Sequence, residues 1–218
     1  MQRTEPPLIA VAICLAALAG FVDALAFTSL GGFFASFMSG NSTRLAVSWA
    51  IGARGDAMVA GALILSFVSG AILAAVIARA AASRSAPMLM GAVAALFAIA
   101  ALVSEVREGP LASLFLAAGM GAVHLLLRRE GATLADGLSL TNALVRAGEG
   151  IADAMMGGAD RWGWLPHLLL WSGFLAGAGL GSAAFFDAGF RALWFAVLAA
   201  GVLTLWFGLR GWADRIPG

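Results

Sequence analysis

Apolar stretches, each close to the roughly twenty residues an α-helix needs to cross a bilayer, follow one another from Pro7 to Leu209 with short polar turns between them. They run over Pro7–Leu30, Phe33–Ile51, Ala57–Ala82, Met88–Val103, Leu111–Leu127, Gly137–Met156, Leu165–Phe186 and Arg191–Leu209. In hydrocarbon every backbone N–H and C=O must find its partner inside the protein, so such a chain folds as helices or as a closed barrel. Stretches of this length are too long for barrel strands. The expectation is an all-α polytopic membrane protein, a single transmembrane domain over residues 1–218.

Composition agrees and narrows the function. Charged residues make up 11% of the chain, against about a quarter in a soluble domain. All thirteen Lys+Arg positions are arginine, they are dispersed, and the net charge is +1, which excludes the concentrated basic face of a nucleic-acid binder. Trp49, Trp162, Trp164 and Trp212 fall near segment ends, where indole rings favour the headgroup zone. A single cysteine, Cys14, excludes an intrachain disulfide. With only His124 and His167 and no HExxH pattern there is no metal-ligand set. The serines around Ser39 have no His or Lys base beside them in sequence, and no nucleotide-binding fingerprint occurs. The chain is expected not to be an enzyme and to need no cofactor. Arg3, the following apolar run and the small pair Ala24 and Ala26 imitate a signal peptide, but Asp23 stands just before that supposed cut, so no cleavage is expected there.

Against this background Ala19 to Ala46, reading AGFVDALAFTSLGGFFASFMSGNSTRLA, stands out. It sets an aspartate, a Gly-Gly pair, a run of hydroxyl and amide side chains and an arginine inside hydrophobic sequence. A charge in hydrocarbon costs a few kcal/mol or more, so Asp23 and Arg44 need partners or a function. Gly31 and Gly32 divide the stretch into a spanning helix and a separate polar segment.

The second half repeats the order of the first. Ala19-Gly20 matches Ala118-Gly119, Gly32 matches Gly131, Ser39 to Arg44 lies over Thr141 to Arg146, and Phe67 to Ala71 lies over Phe174 to Ala178. The reading is a duplicated unit, residues 7–104 and 110–210. Arginine placement separates two topologies. If every segment spans, six arginines (3, 54, 107, 161, 210, 215) face five (79, 84, 128, 129, 191), which decides nothing. If 33–51 and 137–156 dip in and return, eight (3, 79, 84, 128, 129, 161, 210, 215) lie inside against three (54, 107, 191), which obeys the positive-inside rule. The expected fold is then six transmembrane helices plus two polar, broken or re-entrant helices in inverted repeats; the alternative is eight transmembrane helices in two parallel repeats.

The polar segments carry the chemistry. Ser139, Asn142, Arg146, Glu149 and Asp153 recur at steps of three and four, one helical face; Ser36, Gly40 and Thr43 form a shorter version, flanked by Asn41, Arg44 and Ser48. Such faces avoid lipid, which places both segments at the centre of the bundle. Read functionally, they line a shared mid-membrane site in which Arg44 and Arg146 attract an anionic group while Asp23 and His124, at nearly corresponding places, carry protons. The candidates are Asp23, Ser39, Asn41, Thr43, Arg44, His124, Thr141, Asn142, Arg146 and Glu149. The structural reading of the same residues is equally open: Arg44 with Asp23 and Arg146 with Glu149 as ion pairs, Asn41 and Asn142 as interhelical hydrogen-bonders, His124 as a satisfied helix histidine. Gly173, Gly177 and Gly181, with Ser66, Gly70 and Ala74, form small-residue ladders for close helix packing within the chain or in a homo-oligomer.

The motif resembles the N-terminal signature of the YoaK family of bacterial membrane proteins, roughly G-Y-V-D-A, then L-G-G-x-F-x-S-F-M-T-G-N-T-T-R-L. The match covers Gly20, Asp23, Ala24, Leu30, Gly31, Gly32, Phe34, Ser36, Phe37, Met38, Gly40, Asn41, Thr43, Arg44 and Leu45. A second family motif, near T-G-T-L-T-R, resembles Thr141 to Arg146, with Asn142 and Val145 departing from it. The resemblance implies a polytopic inner-membrane protein over essentially the whole chain and no stated activity. The functional expectations are a secondary transporter or channel for a small solute or ion, with the lipid bilayer and that solute as its partners, or a non-transporting scaffold or accessory subunit.

Overall fold

A computed structural model describes residues 6–81, 85–106, 109–129, 140–158 and 160–213. Of the positions singled out above, Arg3, Arg84, Arg107, Gly131, Ser139 and Arg215 lie outside them, as do the side chains of Arg128, Arg129 and Trp212. The helices are α1 (Pro6–Leu30), α2 (Met38–Ala50), α3 (Arg54–Ala81), α4 (Ser85–Val106), α5 (Leu111–Arg129), α6 (Leu140–Met155), α7 (Leu165–Ala188) and α8 (Leu193–Ala213), and a 3-10 turn at Gly189–Ala192 joins the last two. No strand occurs among the described residues. The chain is an all-helical integral membrane protein: Ile9–Leu30, Arg54–Ala81, Ser85–Val106 and Leu165–Arg210 are long and apolar enough to cross a bilayer, and Leu111–Leu127 is apolar but shorter.

The boundaries follow from local chemistry. The stretch Leu165–Arg210 is 46 residues, about 70 Å as one straight helix against a core of about 30 Å. It is broken at Gly189, whose φ of 59° only glycine adopts readily, between the exposed Asp187 and Arg191. Gly31 and Gly32, with φ of 68° and 102°, end α1. The polar segment expected from Phe33 becomes helical only at Met38, because side chains take up the backbone before it. Phe34 N–H donates to Asn41 Oδ1 at 3.0 Å and Ser36 N–H donates to Asp23 Oδ1 at 2.6 Å.

Two helix crossings organise the bundle, α1 against α7 and α3 against α5. On α7, Gly173, Gly177 and Gly181 face Ile13, Ala17 and Phe21 of α1, one rung per turn. On α3, Ser66 Oγ donates to the Leu114 carbonyl at 2.6 Å and Gly70 faces the Ala118 carbonyl of α5. From the opposite sides, Gly20 of α1 lies on the Phe174 carbonyl of α7 and Gly121 of α5 on the Phe67 carbonyl of α3. At Gly20, Gly70, Gly121, Gly177 and Gly181 the carbonyl occupies the space a Cβ would need, so the small-residue ladders bring backbones together within the chain. On α5 it is Gly121, and not Gly119, that lies on a facing carbonyl as Gly20 does on α1. Gly119 instead receives the ring of Phe97, one of the largest fully buried side chains, in the core that α4, α5 and α8 build with Leu126 and Leu193.

Placing both polar segments at the bundle centre needs correction. α2 packs chiefly on α3 and α6 chiefly on α7. α6 buries only the small face Ala143 and Ala147, and Asn142, Arg146, Glu149 and Asp153 are exposed. Alanines at a four-residue step let α6 lie flat on α7, and that leaves the polar stripe on the outside.

Candidate functional site

The chain leaves α1 at Leu30 and turns back along it. Ser36 reaches Asp23, seven positions before the end of α1 and so about 10 Å down its axis; its N–H donates to Asp23 Oδ1 at 2.6 Å and its Oγ to Oδ2 at 2.7 Å. α2 then climbs along α3. Six residues after its start, about 9 Å higher, Arg44 Nη1 donates to the carbonyls of Gly31 at 3.2 Å and Gly32 at 2.8 Å. The Arg44 guanidinium covers the Phe33 ring at 4.0 Å and stands 3.8 Å from Asp56. Asn41, fully buried, closes the middle, donating from Nδ2 to Phe34 O at 2.6 Å while its Oδ1 accepts from Phe34 N–H. Asp23, Asn41 and Arg44 are thus rungs that hold α2 at a fixed depth against the descending loop.

This geometry corrects the Arg44–Asp23 ion pair. Arg44 is spent on loop carbonyls and the half-exposed Asp56, and Asp23, 3% exposed, is satisfied by Ser36. The carboxylate caps the backbone leading into α2, where the helix N-terminus favours a negative group.

Between the two crossings lies a cavity of about 670 Å³, within the range of small-molecule sites. Its floor is Ala19 and Asp23, both buried. Its walls are aromatic: Phe34 from the loop, Phe67 of α3, and Trp171 and Phe174 of α7, with His124 of α5 among them. The rim is formed by Phe37, Met38 and Ser39 at the start of α2 and by Leu140, Thr141 and Leu144 at the start of α6. His124 Nδ1 lies 2.9 Å from Met120 O, and its ring meets Phe67 edge-on at 5.1 Å between centroids. Asp23 stands three residues beyond Gly20 on α1, and His124 three beyond Gly121 on α5.

Of the residues expected at a site, Asp23, Ser39, His124 and Thr141 come together on this cavity. Asn41 and Arg44 lie behind it, and Thr43, exposed, returns its hydroxyl to Ser39 O at 3.1 Å. Asn142, Arg146 and Glu149 are on the exposed side of α6; Arg146 and Glu149 act electrostatically on His167 of α7. The aromatic wall was not foreseen, although Phe67 and Phe174 head the two matching pentapeptides and Phe34 and Ser36 lie in the Gly-Gly motif. No group of three or more His, Cys, Asp or Glu able to hold a metal occurs among the described residues.

A family model described as "Protein of unknown function (DUF1275)" matches residues 11–206. No curated protein matches the chain, and neither does any solved structure.

Proposed function

The chain belongs to the DUF1275 family, of which YoaK proteins are part, and from that premise and the cavity we propose that it is a small secondary transporter or channel. A small solute or ion passes through the space bounded by α1, α3, α5 and α7. The observation that carries this is the cavity itself: it descends from an exposed rim to a buried carboxylate and is lined by Asp23, His124, Phe67, Phe174, Ser39 and Thr141, residues that the duplication we infer below would pair.

The architecture we infer is an inverted duplication, α1–α4 and α5–α8, with six crossings and two half-length helices. In its support, α2 has 13 residues, a rise of about 20 Å that falls short of the bilayer core. Ser36 reaching back to Asp23 starts α2 well inside the membrane, as a re-entrant segment requires. The α1–α7 and α3–α5 ladders, exchanged between halves, are what a two-fold axis in the membrane plane generates. The bias of eight arginines against three puts both termini on the cytoplasmic side, in the bacterial inner membrane.

Uptake into proteoliposomes across a panel of small cations, neutral solutes and anions tests the reading. Flux of at least one solute is expected, with loss in Asp23→Asn and His124→Phe proteins that remain folded. No flux for any member, or flux unchanged in both variants, overturns it. One observation favours a second reading, a scaffold or accessory subunit: the exposed polar stripe of α6 is a surface that a partner in the membrane would cover. A stoichiometric companion in gentle-detergent purification, together with no flux, would support that instead.

A further inference from the structure

Resting on the transport reading, we propose that the solute is a lipophilic organic cation: an ammonium or similar monovalent charge carried on an apolar body. Among the described residues the full charges are distributed so that only one sign reaches the cavity. Arg44 is held outside the lining by Gly31, Gly32, Phe33 and Asp56, and Arg146, exposed on α6, does not line it. Among the described residues Asp23 is the one charged side chain in the lining. It is buried without a cation within ion-pair distance among the described residues, and a buried carboxylate is stabilised by a charge of opposite sign brought to it.

Ser36 donates twice to that carboxylate and the backbone of Ala35 and Phe37 bears on it as well, so its negative charge is held in a fixed place at the floor of the cavity. The walls around it suit the same ligand. Phe34, Phe67, Phe174 and Trp171 are rings whose faces attract cations, and among the described residues the guanidiniums that sit on rings do so elsewhere, Arg44 on Phe33 and Arg210 on Trp206. A hydrated metal ion would leave these walls unused, and an inorganic anion would meet the carboxylate. An organic cation uses the floor and the walls together. The anionic solute expected when Arg44 and Arg146 are taken as the binding groups has no counter-charge in this lining.

The test is binding, kept apart from transport. Labelled benzyltrimethylammonium is equilibrated with the protein in nanodiscs and displaced by its neutral carbon isostere neopentylbenzene or by benzenesulfonate at equal free concentration. The cation should bind at the Asp23 floor, the isostere and the sulfonate should compete about tenfold less well or worse, and Asp23→Asn should weaken the cation by a similar factor. Phe174→Leu and Phe67→Leu, which keep the cavity apolar but remove ring faces, should each weaken it severalfold and serve if Asp23→Asn does not fold. Equal competition by the isostere, preference for the sulfonate, or unchanged affinity in the folded variants overturns the proposal. If the cation binds as expected but no solute crosses the bilayer, the transport reading fails and this assignment stands. If another solute is carried and the cation does not bind, the reverse holds.

Discussion

Substituting alanine at Gly177 on α7 should be far more damaging than the same change two residues away at Gly179. A Cβ on Gly177 would fall on the Ala17 carbonyl of α1, whereas a Cβ on Gly179 meets nothing within 4 Å. The obstacle at Gly177 is backbone, which cannot swing aside as a side chain does, so α1 and α7 must separate along the whole Gly173–Gly177–Gly181 ladder. Overpacking of this kind costs about 1–3 kcal/mol and sometimes more. With a backbone obstacle the upper end applies, about 3 kcal/mol, or a fall in Tm of roughly 6–12 °C for a chain of this size. Gly179→Ala removes a poor helix former at an open site and should be neutral or stabilising by up to about 1 kcal/mol. Gly70→Ala, which would strike the Ala118 carbonyl in the matching crossing, should cost within about 1 kcal/mol of Gly177→Ala, a spread set by context. Thermal unfolding followed by size-exclusion of fluorescently tagged protein measures all three. Equal melting of the Gly177 and Gly179 variants would refute the ladder argument, and a large Gly177 effect beside a small Gly70 effect would refute the equivalence of the two crossings.

Other outcomes follow from the clasp around α2 and from the inferred topology. Asn41→Ala should cost about 2 kcal/mol or more, since it leaves the Phe34 N–H and C=O unpaired in a buried place, and thermal unfolding reads it; Ser42→Ala, on the exposed side, should melt as the parent does. Asp56→Ala should shift stability by no more than about 1 kcal/mol, because the Arg44–Asp56 pair is long at 3.8 Å and more than half exposed on the aspartate; a larger loss would mean that this pair, and not the Gly31 and Gly32 carbonyls, holds Arg44. In a Cys14→Ala background, cysteines at Arg54 and Gly158 should label from opposite sides of the membrane with an impermeant maleimide, and labelling of both from the cytoplasmic side would overturn the six-crossing topology.

The helices were legible because hydrophobic length and glycine breaks are local properties: α1, α5 and α7 begin within a residue of the apolar stretches that announce them. The ladders were legible as residue types at four-residue steps. Register was harder. In Gly- and Ala-rich sequence a shift of two leaves the pattern nearly as good, and only the contacts of Gly121 and Gly119 decide between them. The partner of Asp23 was missed for a different reason. A charge suggests an opposite charge, but backbone N–H and hydroxyl groups satisfy a carboxylate as well, and Ser36 comes near only because the chain turns back after Gly32. The polar stripe on α6 was read correctly as a face, yet periodicity says which residues share a face and not which face meets the bundle. Alanines at 143 and 147 decided that.

The central claim is that solute passes through the cavity between the two crossings. Its most direct test is to close that cavity in the assembled protein. In a Cys14→Ala background, uptake into proteoliposomes should be abolished when a bulky methanethiosulfonate is attached to Ser39→Cys at the rim, and unaffected when it is attached to Leu198→Cys, an exposed position of α8 away from the cavity lining. Uptake that continues with Ser39→Cys fully modified would contradict the account.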